Sequence, residues 1–377
     1  MTGGFLHPAD LKRHLLNPDK FVREWASIYF GSALIQDTDL PVLIMEAVER
    51  YGELNSFFSL AKLDVFPQTE RSVSMILSRL EKVRRQETAE CLNRALALMP
   101  LDLVPVFESR MKAVPALHPM THERIARRRE YRSRRPPELF DELLSVSLKY
   151  EGKPVPPPEF ARTDDLIEAI AAQDWPPSGK LVEMLREPDY QGRWAEYFIV
   201  KLCGTVRSEL AVPLIVAQLA SDDDFLPDAA QESLYRIGYP GTPGLIRSLW
   251  HKLPDELSRM MSAYTFAGFK SPASAAAVLE LLELEDDPSL RTILLDSLAY
   301  LGSDRAVAIG CEELDDLDEA VTGDLILALY GAAKIRGLEV PEAAAWKNEL
   351  EENNRRFNKE VFGVGPGSDR PLRKLPF

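Results

Sequence analysis

Apolar positions recur at three- and four-residue spacing along most of the chain. That spacing predicts helices that each bury one face. Strand-type alternation bounded by Asn-Gly or Asp-Gly turns is absent, so no sheet is expected. In the second half an apolar stretch ends five times in a hydrophobic residue plus Gly, at Cys203-Gly204, Ile237-Gly238, Ala267-Gly268, Leu301-Gly302 and Tyr330-Gly331. The intervals between these glycines are 34, 30, 34 and 29 residues. Within a helix each would cost about 1 kcal/mol relative to Ala. Just past a helix end, glycine takes the left-handed conformation freely. All five therefore predict helix stops.

Second helices follow most of these stops, opening at Val212-Pro213, Pro243-Gly244, Ala276-Ala277 and Ala306-Val307. Polar loops such as Ser221-Asp222-Asp223-Asp224 and Glu285-Asp286-Asp287-Pro288 then lead into the next first helix. Their Asp and Ser side chains suit the N-cap role, accepting an orphan backbone N–H. Two helices per repeat make an αα-hairpin. A lone hairpin cannot bury its apolar stripe, but hairpins stacked side by side can.

The first third follows the same grammar less regularly. Asn17-Pro18-Asp19 leads into Val22-Arg23-Glu24-Trp25-Ala26 and on to Phe30-Gly31; Asp39-Leu40-Pro41-Val42-Leu43 opens the partner helix, which runs to Tyr51-Gly52. Further helices are expected at about 68–85, 87–98, 101–112 and, near the end, 341–358. Asp19, Val22-Arg23, Ala26 and Phe30-Gly31, followed by Leu40-Pro41 and Leu43, resemble the HEAT repeat. More narrowly, the pattern is similar to the short bacterial HEAT-like repeats of phycobilisome lyases. The resemblance covers roughly residues 1–60 and 180–335. It implies an all-α fold, an α-solenoid of stacked antiparallel helix pairs. It leaves the activity open, since scaffolds, lyases and nucleic-acid binders share that architecture.

Composition shifts suggest a partition. Residues 1–115 read as N-terminal HEAT-like repeats, 116–162 as an Arg-rich helix with a Pro-rich linker, 163–358 as C-terminal HEAT-like repeats and 359–377 as a flexible tail. The stretch 150–163 carries four prolines, which favours a stiff, extended linker and a boundary there. In the tail, Gly363 to Ser368 precede Arg370, Arg373 and Lys374. These read as a mobile terminus or a docking peptide.

Charge divides the chain as well. The 377 residues carry a net −14. Residues 1–150 hold 22 Lys and Arg against 20 Asp and Glu, a net +2, whereas 151–377 hold 23 against 39, a net −16. The strongest local anomaly is the run 124–135, with seven arginines in twelve positions. On a helix ending before Pro136, Glu123–Arg127 and Glu130–Arg134 make favourable i,i+4 pairs. Arg124, Arg128 and Arg132 then form an unpaired stripe, which Arg135 extends. These four are the candidate anion- or partner-binding residues. Their counter-charges are either internal, at Glu138, Asp141, Glu142 or the acidic second half, or external, on nucleic-acid phosphate or an acidic protein. A second anomaly is acidic: residues 280–324 contain fourteen Asp and Glu and two Arg, densest at Glu312–Glu319. EF-hand spacing is missing, so a solvated face or a docking surface for a basic partner is expected rather than a metal site.

Catalytic signatures are lacking. There is no HExxH, CxxC, Walker loop, Gly-x-Ser-x-Gly or GxGxxG. His118 and His122 share an i,i+4 face without an evident third ligand and read as a loop-to-helix junction. Cys91, Cys203 and Cys311 are too far apart in sequence for a redox or metal motif, and a sparse odd count suits a reducing compartment. Trp25 and Trp194 each precede an alanine, which favours core packing. No apolar run approaches 18 residues, and the first residues lack the pattern of a secretory signal, so a soluble cytoplasmic protein without membrane partners is expected. The reading is a non-enzymatic scaffold that engages another protein and needs no cofactor or metal. Alternatives are a nucleic-acid binder using the arginine stripe and a HEAT-like lyase-type enzyme.

Overall fold

The computed structural model describes residues 5–314 and 322–362, and within them every regular element is helical. In chain order the α-helices are α1 (Pro8–Leu11), α2 (Lys20–Ser32), α3 (Leu40–Tyr51), α4 (Phe57–Ala61), α5 (Glu70–Leu80), α6 (Gln86–Ala97), α7 (Val104–Ala113), α8 (Pro119–Arg132), α9 (Pro136–Lys149), α10 (Pro157–Ala171) and α11 (Ser178–Arg186). They continue with α12 (Trp194–Thr205), α13 (Val212–Gln218), α14 (Leu226–Ile237), α15 (Thr242–Leu249), α16 (Glu256–Gly268), α17 (Pro272–Leu282), α18 (Pro288–Tyr300), α19 (Asp304–Glu313), α20 (Thr322–Arg336) and α21 (Ala343–Phe362). The expected alternation of first and second helices is therefore present from α12 to α20. The polar loops cap as their residues suggest: Asp287 accepts the N–H of Leu290 at 3.0 Å, and Asp255 accepts that of Ser258 at 2.8 Å. The tail from Gly363 onward and the acidic run Asp315–Glu319 lie outside the described residues.

The chain divides into two compact units, one joining residues up to His122 with those from Lys270 onward, the other formed by Glu123–Phe269. These limits do not fall at the Pro-rich stretch. Pro157 and Pro158 open α10 instead of extending a linker, because a helix's first turn does not need the N–H that proline lacks.

In the second unit α10 packs on α12, α12 on α14 and α14 on α16, while α11 and α13 cover α12 and α14. An ionic tie spans three of these helices. Lys201 of α12 lies 2.6 Å from Asp164 of α10 and 3.7 Å from Glu232 of α14. Burial alone would lower the Lys201 pKa, but the two carboxylates raise it above its ordinary value.

The first unit packs helices from the early and late parts of the chain together. α2 packs against α20, and α20 in turn against α18. Trp25 of α2 is fully buried at the junction. Tyr330 of α20 donates to Asp19 at 2.6 Å, and the Leu6 N–H donates to the Leu301 carbonyl at 3.1 Å. Arg23 of α2 is buried and donates to the carbonyls of Asn17, Pro18 and Asn55 while stacking on Tyr51. Its role is to satisfy loop carbonyls that helix ends leave unpaired. At the far end of α21, Phe357 and Phe362 pack with Phe57 and Phe58.

The glycines bear out four of the five expected helix stops and correct the fifth, Gly331. Gly238 is a left-handed cap (φ +66°) and Gly302 also has positive φ (+72°). Gly204 and Gly268 do mark helix ends, in the last turn of α12 and α16, but without the left-handed conformation, and Gly331 lies inside α20. Their missing side chains make room for a neighbour. A Cβ on Gly204 would stand 2.6 Å from the Ser233 Cα, one on Gly268 2.1 Å from the Tyr235 ring, and one on Gly331 2.7 Å from the Trp25 ring. The repeat thus spaces points of close helix contact as well as ends.

Two alanine substitutions in the second unit should have opposite signs. Gly204→Ala forces α12 and α14 apart and should cost about 1–3 kcal/mol by overpacking. Gly244 is exposed, with open space around it, so Gly244→Ala should stabilise by up to about 1 kcal/mol through helix propensity. Urea unfolding of the two variants checks both signs.

Candidate functional site

The arginine run folds as expected into a helix, α8, that ends before Pro136. It is anchored by Ile125 and Tyr131, both buried, and its start is set by His118, whose ring nitrogen accepts the Met120 N–H at 3.2 Å. The expected stripe does not stand free. Arg124 reaches Asp165 of α10 at 2.9 Å, and Arg127 reaches the other oxygen of the same carboxylate at 2.5 Å. The Asp165 side chain is 0% exposed. Arg127 is therefore drawn to α10 rather than to Glu123, because a buried carboxylate with two guanidinium partners outweighs a solvated i,i+4 pair. Arg128 lies 3.6 Å from Glu168, and Arg135 pairs with Glu138. Arg132 is exposed. Glu142 accepts from Arg134 and Arg162; burial opposes its charge, yet these bonds hold its carboxyl below its ordinary value. Of the four candidate residues, then, three find internal carboxylates. Asp165, 41 residues after Arg124 and 38 after Arg127, carried no pattern that marked it as their partner.

A cleft of about 470 Å³ opens elsewhere in the second unit. Three loops line it, 150–156 before α10, 187–193 before α12 and 219–225 before α14. Each loop joins one helix pair to the next, so side-by-side packing of α10, α12 and α14 brings all three to one end. Trp194 and Phe225 form the apolar wall with ring centroids 5.2 Å apart, and Phe160 meets Trp194 at 5.3 Å. The Trp194 indole donates to the Lys153 carbonyl at 2.9 Å. Trp194 is only half-buried, which corrects the expectation of a core residue: it starts its helix at a cleft, whereas Trp25 lies mid-helix in the core. Glu196, on the cleft floor, accepts from the Gly192 N–H at 2.7 Å and from Gln218 at 2.8 Å. Burial raises its pKa.

The first unit gathers a different set of charges. Lys270 donates to the Tyr300 carbonyl at 2.9 Å, with its ammonium 4.0 Å over the Tyr29 ring. Nearby Asp296 is 6% exposed, and its Oδ1 has no hydrogen-bond partner. Burial, reinforced by Asp324, pushes the Asp296 carboxyl well up, and burial pushes the Lys270 ammonium well down. Burial also raises Glu24 of α2 to about 7, with Lys20 opposing and Asp324 adding to the shift. Among the described residues no group of three or more His, Cys, Asp or Glu is placed to hold a metal ion, and no helix is long and apolar enough to cross a membrane. Burial lifts the Cys203 thiol to about 12, which keeps it unreactive.

No protein-family model matches the chain, and no curated protein is similar to it in sequence. The site's chemistry therefore has to be read from its own residues.

Two outcomes follow from these charges. Asp165→Ala strands two arginines and should destabilise the protein by about 3 kcal/mol, whereas Arg132→Ala should change stability by less than about 0.5 kcal/mol; chemical denaturation measures both. For Glu24 the folded pKa lies above the ordinary 4.5, so the folded state holds the proton more tightly. Its contribution is intact below pH 4.5 and is lost as pH rises to about 7. Glu24→Gln should accordingly be near neutral at pH 4.5 and stabilising by up to about 3 kcal/mol at pH 8, flattening the decline of Tm with pH.

Proposed function

We propose that this chain is a HEAT-like α-solenoid that acts as a non-enzymatic scaffold, engaging another protein through its inter-pair loops. The observation that carries the reading is the cleft where three successive loops meet around Trp194 and Phe225. Aromatic side chains open to solvent at a concave site are the usual anchors of protein contacts. The arginine run supports this reading over nucleic-acid binding. Arg124, Arg127 and Arg128 already have carboxylate partners, and phosphate contact would have to break those pairs.

One observation favours a second reading, a HEAT-like lyase-type enzyme. Glu24, Asp296 and Lys270 are ionisable groups whose pKa values burial moves far from ordinary, as general acids and bases require.

A photo-reactive amino acid at position 225, in the native host, tests the proposal. The expected result is a discrete protein adduct that the same label at exposed Leu257 does not give. Equal labelling from both positions, or metabolite turnover abolished by Asp296→Asn, would sink the scaffold reading.

A further inference from the structure

We infer that the cleft of the second unit receives a lysine or arginine side chain from a basic segment of the partner protein. This rests on the scaffold reading and names the chemistry of its partner. The first ground is the ring surface. Phe225 is 40% exposed although it lies against Trp194 and Phe160. Among the described residues no Lys or Arg lies over the face of Trp194 or Phe225, although Lys201 lies over Tyr197 in the same cleft, Lys149 over Tyr150 at its edge and Lys180 over Trp175 elsewhere in the unit. An open aromatic face attracts a cation through its quadrupole, most strongly where the cation is partly desolvated.

Charge is the second ground. The lining holds Glu151, Glu196, Asp223 and Asp224 against Lys153 and Arg193, an excess of two negative charges. Arg193 is drawn off by Glu151 at 3.4 Å. Three helices begin at this end, and their free N–H groups would favour an anion. Two of these starts already hold a carboxylate: Asp223 accepts the N–H groups of Phe225 and Leu226 at 2.8 and 2.9 Å at the start of α14, and Glu196 accepts that of Gly192 in the loop before α12. An incoming anion beside Phe225 would therefore meet carboxylates instead of open donors. Asp224, exposed and next to Phe225, provides the counter-charge for a cation resting on the ring. A volume of about 470 Å³ accommodates one or two long side chains.

Fluorescence anisotropy with a labelled eight-residue peptide alternating Arg and Gly, at low salt, tests the inference on the full-length protein. A peptide of the same length alternating Glu and Gly is the comparison. The Arg peptide should bind and the Glu peptide should not. Phe225→Ala and Phe225→Leu should each weaken binding about tenfold, since leucine restores apolar bulk but no ring face. Asp224→Asn should weaken it about threefold, while Glu283→Gln, on the exposed surface of the first unit, should leave it unchanged. Wild-type affinity in Phe225→Leu, or an equal loss in Glu283→Gln, would mean diffuse attraction to an acidic protein and would overturn the inference. So would the absence of Arg-peptide binding. Binding of the Glu peptide that depends on Phe225 would remove the basic partner yet leave the scaffold reading standing; loss of the position-225 adducts would remove the scaffold reading itself.

Discussion

The first unit depends on one close contact, the indole of Trp25 set against the bare backbone of Gly331. A Cβ there would fall 2.7 Å from the ring, and one on Gly302 would fall 3.4 Å from its far edge. Only glycine lets α2 and α20 approach closely enough to enclose a tryptophan completely. Packing at that density forfeits its attraction over gaps of less than an ångström. The consequence is topological. Residues some three hundred positions apart share one core, and the bonds Tyr330–Asp19 and Leu6–Leu301 follow from that approach.

The second unit is held by a different balance. Its helices also meet at glycine, with Gly204 on Ser233 and Gly268 on Tyr235, but buried charge adds direction. Lys201 fixes α12 between α10 and α14, and Asp165 fixes α8 on α10. Buried ion pairs add less net stability than their number suggests, because both partners lose water. Their contribution is positional: each accepts one arrangement of helices and penalises others. This also accounts for the arginine run. Arg124 and Arg127 neutralise a carboxylate that α10 turns inward, while Arg129 and Arg132 remain exposed.

This packing leaves some groups unanswered. Loop ends are the natural location, since helix pairs bury their own faces and present their connections together. Phe225 and Asp224 lie on such a connection. The buried Lys270 and Asp296 are a different kind of residue, ionisable groups whose charged forms burial disfavours.

Much of the local structure was legible in the sequence. Apolar spacing determined the helices, because a helix must bury one face whatever lies against it. Asp and Ser before the helices determined several caps, because capping is a contact between near neighbours in the chain. Gly238 was readable as a stop for the same reason. Gly204, Gly268 and Gly331 were not readable as contact points, since a glycine in sequence does not reveal which distant side chain will need its space. Likewise Asp165 gave no sign that it would bind Arg124 and Arg127, and the alanine after Trp194 suggested core where the fold places a cleft. Which helices meet across hundreds of residues, and therefore which charges are answered and which rings stay open, was decided by tertiary packing alone. Helix formation is set by spacing along the chain, whereas partner choice is set by the fit of surfaces that the chain brings together only once it has folded.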